Sequence, residues 1–215
     1  MPSVEVDQLN FETSSIFALL WNLCRTHLPP EVILDVDEFL DRENMARMGG
    51  GMERGADGKV PATGKYVIGV GVDEDLDQPT TFHEVEMSPP SGVAALNYCH
   101  AGHTEQQPHK YAFSWTTCQT GGPEKGGLFY ISNFGICIAP ASNTLVVWQP
   151  RHVHGTSLQD RQVNNDPDSS QAGIAIVTPS QLPNVWHKYW DKKWSHEMAA
   201  AEIYDHQFDD EDDST

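Results

Sequence analysis

The residues with the most chemistry to offer lie in two short stretches. Between Asn97 and Trp115 the chain reads NYCHAGHTEQQPHKYAFSW, which sets His100, His103 and His109 around one acid, Glu105. About fifty residues later, WQPRHVHGTS carries His152 and His154. Two neutral imidazoles and one carboxylate on one face of a divalent ion leave its other positions open for O2 and a substrate. In an extended segment residues i and i+2 point to the same side, so His103 and Glu105, as H-x-E, can face one ion together. The third donor must come from a segment that the fold lays alongside. His154 is expected there: it follows a turn with Pro140 and Asn143, a strand over Thr144 to Trp148 and a second turn, and the small residues GTS come next. His100 and His152 are the reserve ligands, because His152 lies two residues from His154 and a His100, His103, His154 set makes a three-histidine iron site. His109, in PHK, reads as a loop residue. A lone histidine is an ordinary surface or capping residue; two clusters that can face each other argue for a metal.

Such clusters need a scaffold that brings distant strands together. Residues 11–48 read as two amphipathic helices: Phe17, Leu20, Trp21 and Cys24 recur at helical spacing, and PPEVILDVDEFLDRENMARM opens with prolines and acids. Gly49 to Lys65 is rich in glycine and small polar residues and reads as a loop. From Tyr66 short β-rich runs follow one another, among them KYVIGVGV, TTFHEVEM, GVAALNY, KYAFSWTT, GLFYISNFGICIA, NTLVVWQP and AGIAIVTP. Seven or more short strands without intervening helices predict an antiparallel sandwich, jelly roll or small barrel over residues 66–180. A helix is expected over 183–204, with Trp186, Tyr189, Trp190 and Trp194 packing an aromatic face on the sheet, and a disordered acidic tail over 205–215. The chain is therefore read as a single domain over 1–204.

Composition narrows the function. A formal net charge of -18 over 215 residues and the absence of a basic stripe argue against a nucleic-acid partner, which would need lysines and arginines against its phosphates. No apolar run approaches the roughly 20 residues of a membrane span, and no leader of basic and apolar residues opens the chain. Cys24, Cys99, Cys118 and Cys137 are scattered without CxxC spacing, which predicts reduced thiols and an intracellular location, cytoplasmic or nuclear. Cys99 is expected to be a small buried thiol. GGPEKGG lacks the strand-to-helix context of a phosphate loop, and no GxSxG is present.

The succession HTE, KYAFSWTT and GGLFYISNFGICIAPASNTLVVWQPRHVHGTS resembles the double-stranded β-helix oxygenases that use Fe(II) and 2-oxoglutarate, and most of all the TET/J-binding-protein-like predicted oxygenases of mushroom-forming fungi. The resemblance covers residues 66 to 180. It implies a jelly-roll core, Fe(II) held by His103, Glu105 and His154, and oxidation of a modified base, whereas the acidic charge argues for a small molecule or a protein side chain as substrate. Aspartate is the usual acid of the superfamily, so Glu105 is a departure. The resemblance also implies an Arg or Lys, about ten residues past the distal histidine, for the far carboxylate of 2-oxoglutarate. QAGIAIVTP carries no base; Arg151 and Lys110 lie nearer the expected ligands, and Arg161, seven residues after His154 in a polar loop, is taken as the candidate. Two alternatives follow: a cupin-type iron and O2 enzyme that does not use 2-oxoglutarate, and a non-catalytic metal-binding jelly roll.

Overall fold

The computed structural model describes residues 3–50, 55–69, 79–160 and 171–205. They fall into two compact units, Met1–Ser91 and Gly92–Thr215. The first holds helices α1 (Ser3–His27) and α2 (Pro30–Glu43) and an antiparallel pair, β1 (Thr63–Ile68) and β2 (Thr80–Glu86). The predicted apolar stripe is its core: Phe17, Leu20, Trp21 and Cys24 of α1 and Val36, Phe39 and Leu40 of α2 are all buried. α1 begins earlier than expected. α2 stops at Glu43 rather than near Met48, because Asn44 turns left-handed (φ 46°) and the Met45 N–H donates back to the Leu40 carbonyl, a Schellman-type end. The chain then buries Arg47 against Asp37 at 2.6 Å and the Met87 carbonyl at 3.0 Å. Tyr66 and Met87 meet Ala18 in the same core.

The second unit is mainly β. Its strands are β3 (Gly92–Leu96), β4 (His100–His103), β5 (Ala112–Gln119), β6 (Phe129–Ile131), β7 (Ile136–Ile138), β8 (Thr144–Trp148), β9 (His154–Thr156) and β10 (Gln171–Ile176). They form two antiparallel four-stranded sheets, ordered β3-β10-β5-β8 and β4-β9-β6-β7. Every neighbouring pair is distant in sequence except β6-β7, so the chain passes repeatedly from sheet to sheet. Asn97 (φ 55°) makes one such crossing, donating its N–H to the Gln171 carbonyl and accepting the Gln171 N–H on its side-chain oxygen. Trp148 of one sheet packs its ring 5.1 Å from Phe129 and 5.5 Å from His154 of the other, which identifies the faces that look at each other.

The expected C-terminal helix is two helices, α3 (Leu182–Trp190) and α4 (His196–Asp205). The break comes where Lys192 turns left-handed (φ 57°) and the N–H groups of Lys193 and Trp194 both donate to the Lys188 carbonyl. The aromatic side chains of α3 stack on one another, Trp186 on Trp190 at 5.0 Å, and Tyr189 meets His196 of α4. The acidic tail beyond Asp205 and Arg161 lie outside the described residues. Among the described residues no helix is long and apolar enough to cross a membrane.

Candidate metal centre

Two strands too short to be read from the sequence carry the centre. β4 pairs His103 with His154 and His100 with Thr156 of β9, so that two residues, Ala101 and Gly102, stand opposite one, Gly155. The extra residue is a β-bulge at Ala101–Gly102. It lets His100 and His103, three apart, share the inward face that strict alternation would deny them. Gly155 sits opposite: a Cβ there would lie 3.0 to 3.1 Å from the His100 and Ala101 carbonyl oxygens and the Gly102 nitrogen. β9 continues the register into β6 and β7, so His103, His154, Ile131 and Ile136 form one cross-strand row, and His100, Thr156, Phe129 and Ile138 the next.

Glu105 follows β4 and is tied down by its backbone, whose N–H donates to the Pro150 carbonyl at 2.9 Å, in the turn that leads to β9. Ligating atoms of His103, Glu105 and His154 then lie within 4.8 Å of one another, with His103 Nε2 3.2 Å from Glu105 Oε1. An ion with bonds of about 2.1 Å has adjacent ligand atoms about 3 Å apart; the His103–Glu105 pair already has that spacing, and the three atoms would need to draw together slightly to share one ion.

The imidazoles are oriented as ligands require. His154 Nδ1 is 2.8 Å from the His152 carbonyl and His103 Nδ1 is 2.9 Å from the Ala101 carbonyl. A carbonyl only accepts, so each Nδ1 carries a proton; the neutral His154 ring then keeps its Nε2 lone pair for the ion, while His103 Nε2, hydrogen-bonded to Glu105 Oε1, would give up the proton it donates there on binding one. His154 is 2% exposed, and its Nε2 is buried with no hydrogen-bond partner among the described residues. A buried polar atom left unpaired costs about 1–3 kcal/mol; a metal would satisfy it.

The charge states agree. Burial holds the His154 imidazole below the ordinary histidine range, and the neighbouring His103 and His100 push the same way against the His152 carbonyl and Glu105. Burial raises Glu105, but the hydrogen bonds from His103 and Gln107 and the nearby imidazoles outweigh it and leave the carboxyl below the usual glutamate range. A neutral His154 beside an ionised Glu105 is the state that binds a divalent cation, and binding would displace the proton that His103 shares with Glu105.

The other predicted residues divide. His100 stands beside the triad, its ring 4.0 Å from that of His103, but it is outside the set that converges on one point. His152 packs on Phe134 at 4.8 Å and serves His154 only through its carbonyl. His109 is no solvated loop residue: it is 6% exposed and its Nε2 is 2.8 Å from Thr178 Oγ1, a core contact. Cys99, expected to be buried, is exposed and borders a cavity of about 510 Å³ that reaches His100, Gly102, Tyr130 and Leu158 but not the triad. All four cysteines are free. Nothing in the sequence marked Gln107, whose Nε2 donates to Glu105 Oε2 at 3.1 Å, or Trp148 as the ring beside His154. Both are visible only once the register is known. No family model, curated protein or solved structure matches the chain.

Proposed function

We propose that the Gly92–Thr215 unit is a jelly-roll domain that holds one Fe(II) through His103, Glu105 and His154 and acts as a non-haem iron oxygenase on an organic substrate. The two interleaved four-stranded sheets support the jelly-roll reading. The observation that carries the metal reading is the buried, partnerless His154 Nε2 converging with a His103 nitrogen and a Glu105 oxygen. Iron held by three protein donors on one face keeps positions for O2 and substrate and supplies the activation of O2.

The chain's own residues supply the rest. The Ala101 and His152 carbonyls hold the two imidazoles in one tautomer. Gln107 holds the carboxylate by its outer oxygen. Phe129 and Trp148 wall His154 from water. Ile131 and Ile136, in the row of the two histidines, offer an apolar surface to whatever lies beside the ion.

One observation favours a chemistry without 2-oxoglutarate. Among the described residues none of this unit's strands contains a lysine or arginine, and β10, where a base for the far carboxylate is expected, reads QAGIAI. A guanidinium is the usual partner of such a carboxylate.

Anaerobic titration with Fe(II) tests the centre. One ion per chain is expected for the wild type and loss of binding in a His103→Ala, His154→Ala double variant; equal binding by the two proteins refutes the reading. Adding 2-oxoglutarate to the iron-loaded protein separates the cosubstrate readings. A metal-to-ligand charge-transfer band supports its use, and oxygen uptake that ignores it supports the cosubstrate-independent enzyme.

A further inference from the structure

The sheet that bears the histidines also carries a cavity that the metal reading does not use. Phe129 and His154 face Trp148 of the opposite sheet. Alternation turns their neighbours Tyr130 and Gly155, paired across β6 and β9, to the outer face. The cavity of about 510 Å³ is lined by these two residues together with Gly102, Ser132, Ser157 and Cys99, and by Leu158, which is 79% exposed and so stands at its mouth. His103, Glu105 and His154 are not in its lining. The volume falls within the range of about 300–1,000 Å³ typical of small-molecule sites.

The lining defines the chemistry of an occupant. Among the described residues no lysine, arginine, aspartate or glutamate borders the cavity, so a charged ligand would lose hydration without gaining a counter-charge. The net charge of -18 opposes an anion further. What the lining offers instead is hydroxyl groups, each able to donate and to accept. Ser157 Oγ accepts the Leu128 N–H at 3.0 Å, which leaves its own proton to donate. Gly102 and Gly155 contribute backbone without side chains, and the Tyr130 ring and Leu158 add apolar surface beside the hydroxyls. A ligand that matches this lining is uncharged, bears several hydroxyls and has a C–H face to lay on an aromatic ring. A hexose or a cyclic polyol has all three properties.

We propose that this outer-face cavity binds a neutral polyhydroxylated ring of hexose size, its C–H face on Tyr130 and its hydroxyls on Ser132 and Ser157. The site goes beyond the iron reading and needs no metal.

The probes are glucose and myo-inositol, with glucuronate and glucosamine as charged controls, titrated against the full metal-free chain by saturation-transfer NMR. Cys99 gives a second readout, because it lines the cavity, whereas Cys118 is exposed and does not. At least one neutral probe is expected to bind in preference to both charged controls and to slow iodoacetamide labelling of Cys99 in a saturable way, leaving Cys118 unchanged. Ser132→Ala, too small a change to endanger the fold, is expected to weaken that probe by about three- to tenfold, the scale of one net hydrogen bond. Tyr130→Val, which keeps a strand former and removes the ring, is expected to abolish binding. Wild-type protein that binds neither neutral probe, that takes glucuronate or glucosamine equally well, or that binds without protecting Cys99 overturns the proposal, whatever becomes of the variants. Fe(II) titration of the same preparations reports the metal centre separately, so failure of one reading is not mistaken for failure of the other.

Discussion

Replacing His154 with phenylalanine should separate what the residue does for the fold from what it does for a metal. In the metal-free protein the imidazole makes one hydrogen bond, from Nδ1 to the His152 carbonyl, and buries Nε2 unpaired. The bond contributes about 1 kcal/mol net, and the unpaired nitrogen costs about 1–3 kcal/mol. A phenyl ring retains the packing against Phe129 and Trp148 and removes both polar terms, so the metal-free variant should be as stable as the wild type to within about 1 kcal/mol, or slightly more stable. Metal reverses the order. An ion at one hundred times its dissociation constant stabilises the protein that binds it by about 2.7 kcal/mol. At about 2–4 °C per kcal/mol for a chain of this size, that is a rise in Tm of roughly 5–11 °C in the wild type and none in the variant. Thermal unfolding under anaerobic Fe(II), or in Co(II), measures both quantities in one experiment. A wild type that Fe(II) and Co(II) leave unmoved, or a variant they protect equally, would refute the argument. So would a metal-free variant destabilised by several kcal/mol, since it would mean that the imidazole is part of the packing and its orphan nitrogen is of no consequence.

Three further outcomes follow from the same geometry. Gly155→Ala places a methyl group against the β4 backbone, 3.0 Å from the His100 carbonyl oxygen; displacement of the bulge should weaken metal binding by about 10–100-fold, the range for loss of an orienting contact, while His152→Ala, whose ring lies on Phe134, should change it less than twofold. In metal-free protein, stability should fall in two steps as pH drops. His154 has a depressed pKa in the fold, so the unfolded chain takes up its proton first, near the ordinary value of about 6.5; Glu105, also depressed, contributes stability above its ordinary value that is lost as pH falls through its lower folded one. Urea midpoints at descending pH should show the upper step vanish in His154→Phe. Native alkylation with iodoacetamide, read by mass, should label Cys99, Cys118 and Cys137 and spare Cys24, which is fully buried and has its thiol pushed up to about 12; labelling of Cys24 on the same timescale would contradict the packing of α1.

What was legible in the sequence was what repeats or what is chemically rare. The apolar period of α1 and the branched run Thr144–Trp148, with its turn at Asn143, announce a helix and a strand because each segment states its own burial. The donor set was legible as well, since histidines beside an acid are uncommon and chemically specific. The strands that bear it were not. HAGH and HGT have no apolar alternation and no β-branched run beyond one threonine; they are strands because β9 pairs with β4 on one side and β6 on the other. The break at Lys192 is silent for a similar reason, since lysine gives no hint of a left-handed turn. Cys99 misleads by its type: cysteine is usually buried, but this one lies between the left-handed Asn97 and the start of β4, at the lip of a cavity. The centre is therefore a property of register more than of residue type. A one-residue slip of β9 would turn Gly155 inward and His154 outward. That slip is opposed by contacts on either side of His154: the Val153 N–H donates to Asn133 Oδ1 at 2.6 Å, the Val153 carbonyl accepts from Ser132 at 2.8 Å, and the Ala101–Gly102 bulge closes over Gly155, where only a glycine fits without displacing it. Ordinary residues in a turn, a bulge and one glycine fix which way two histidines point, and their effect becomes visible only when the strands are laid side by side.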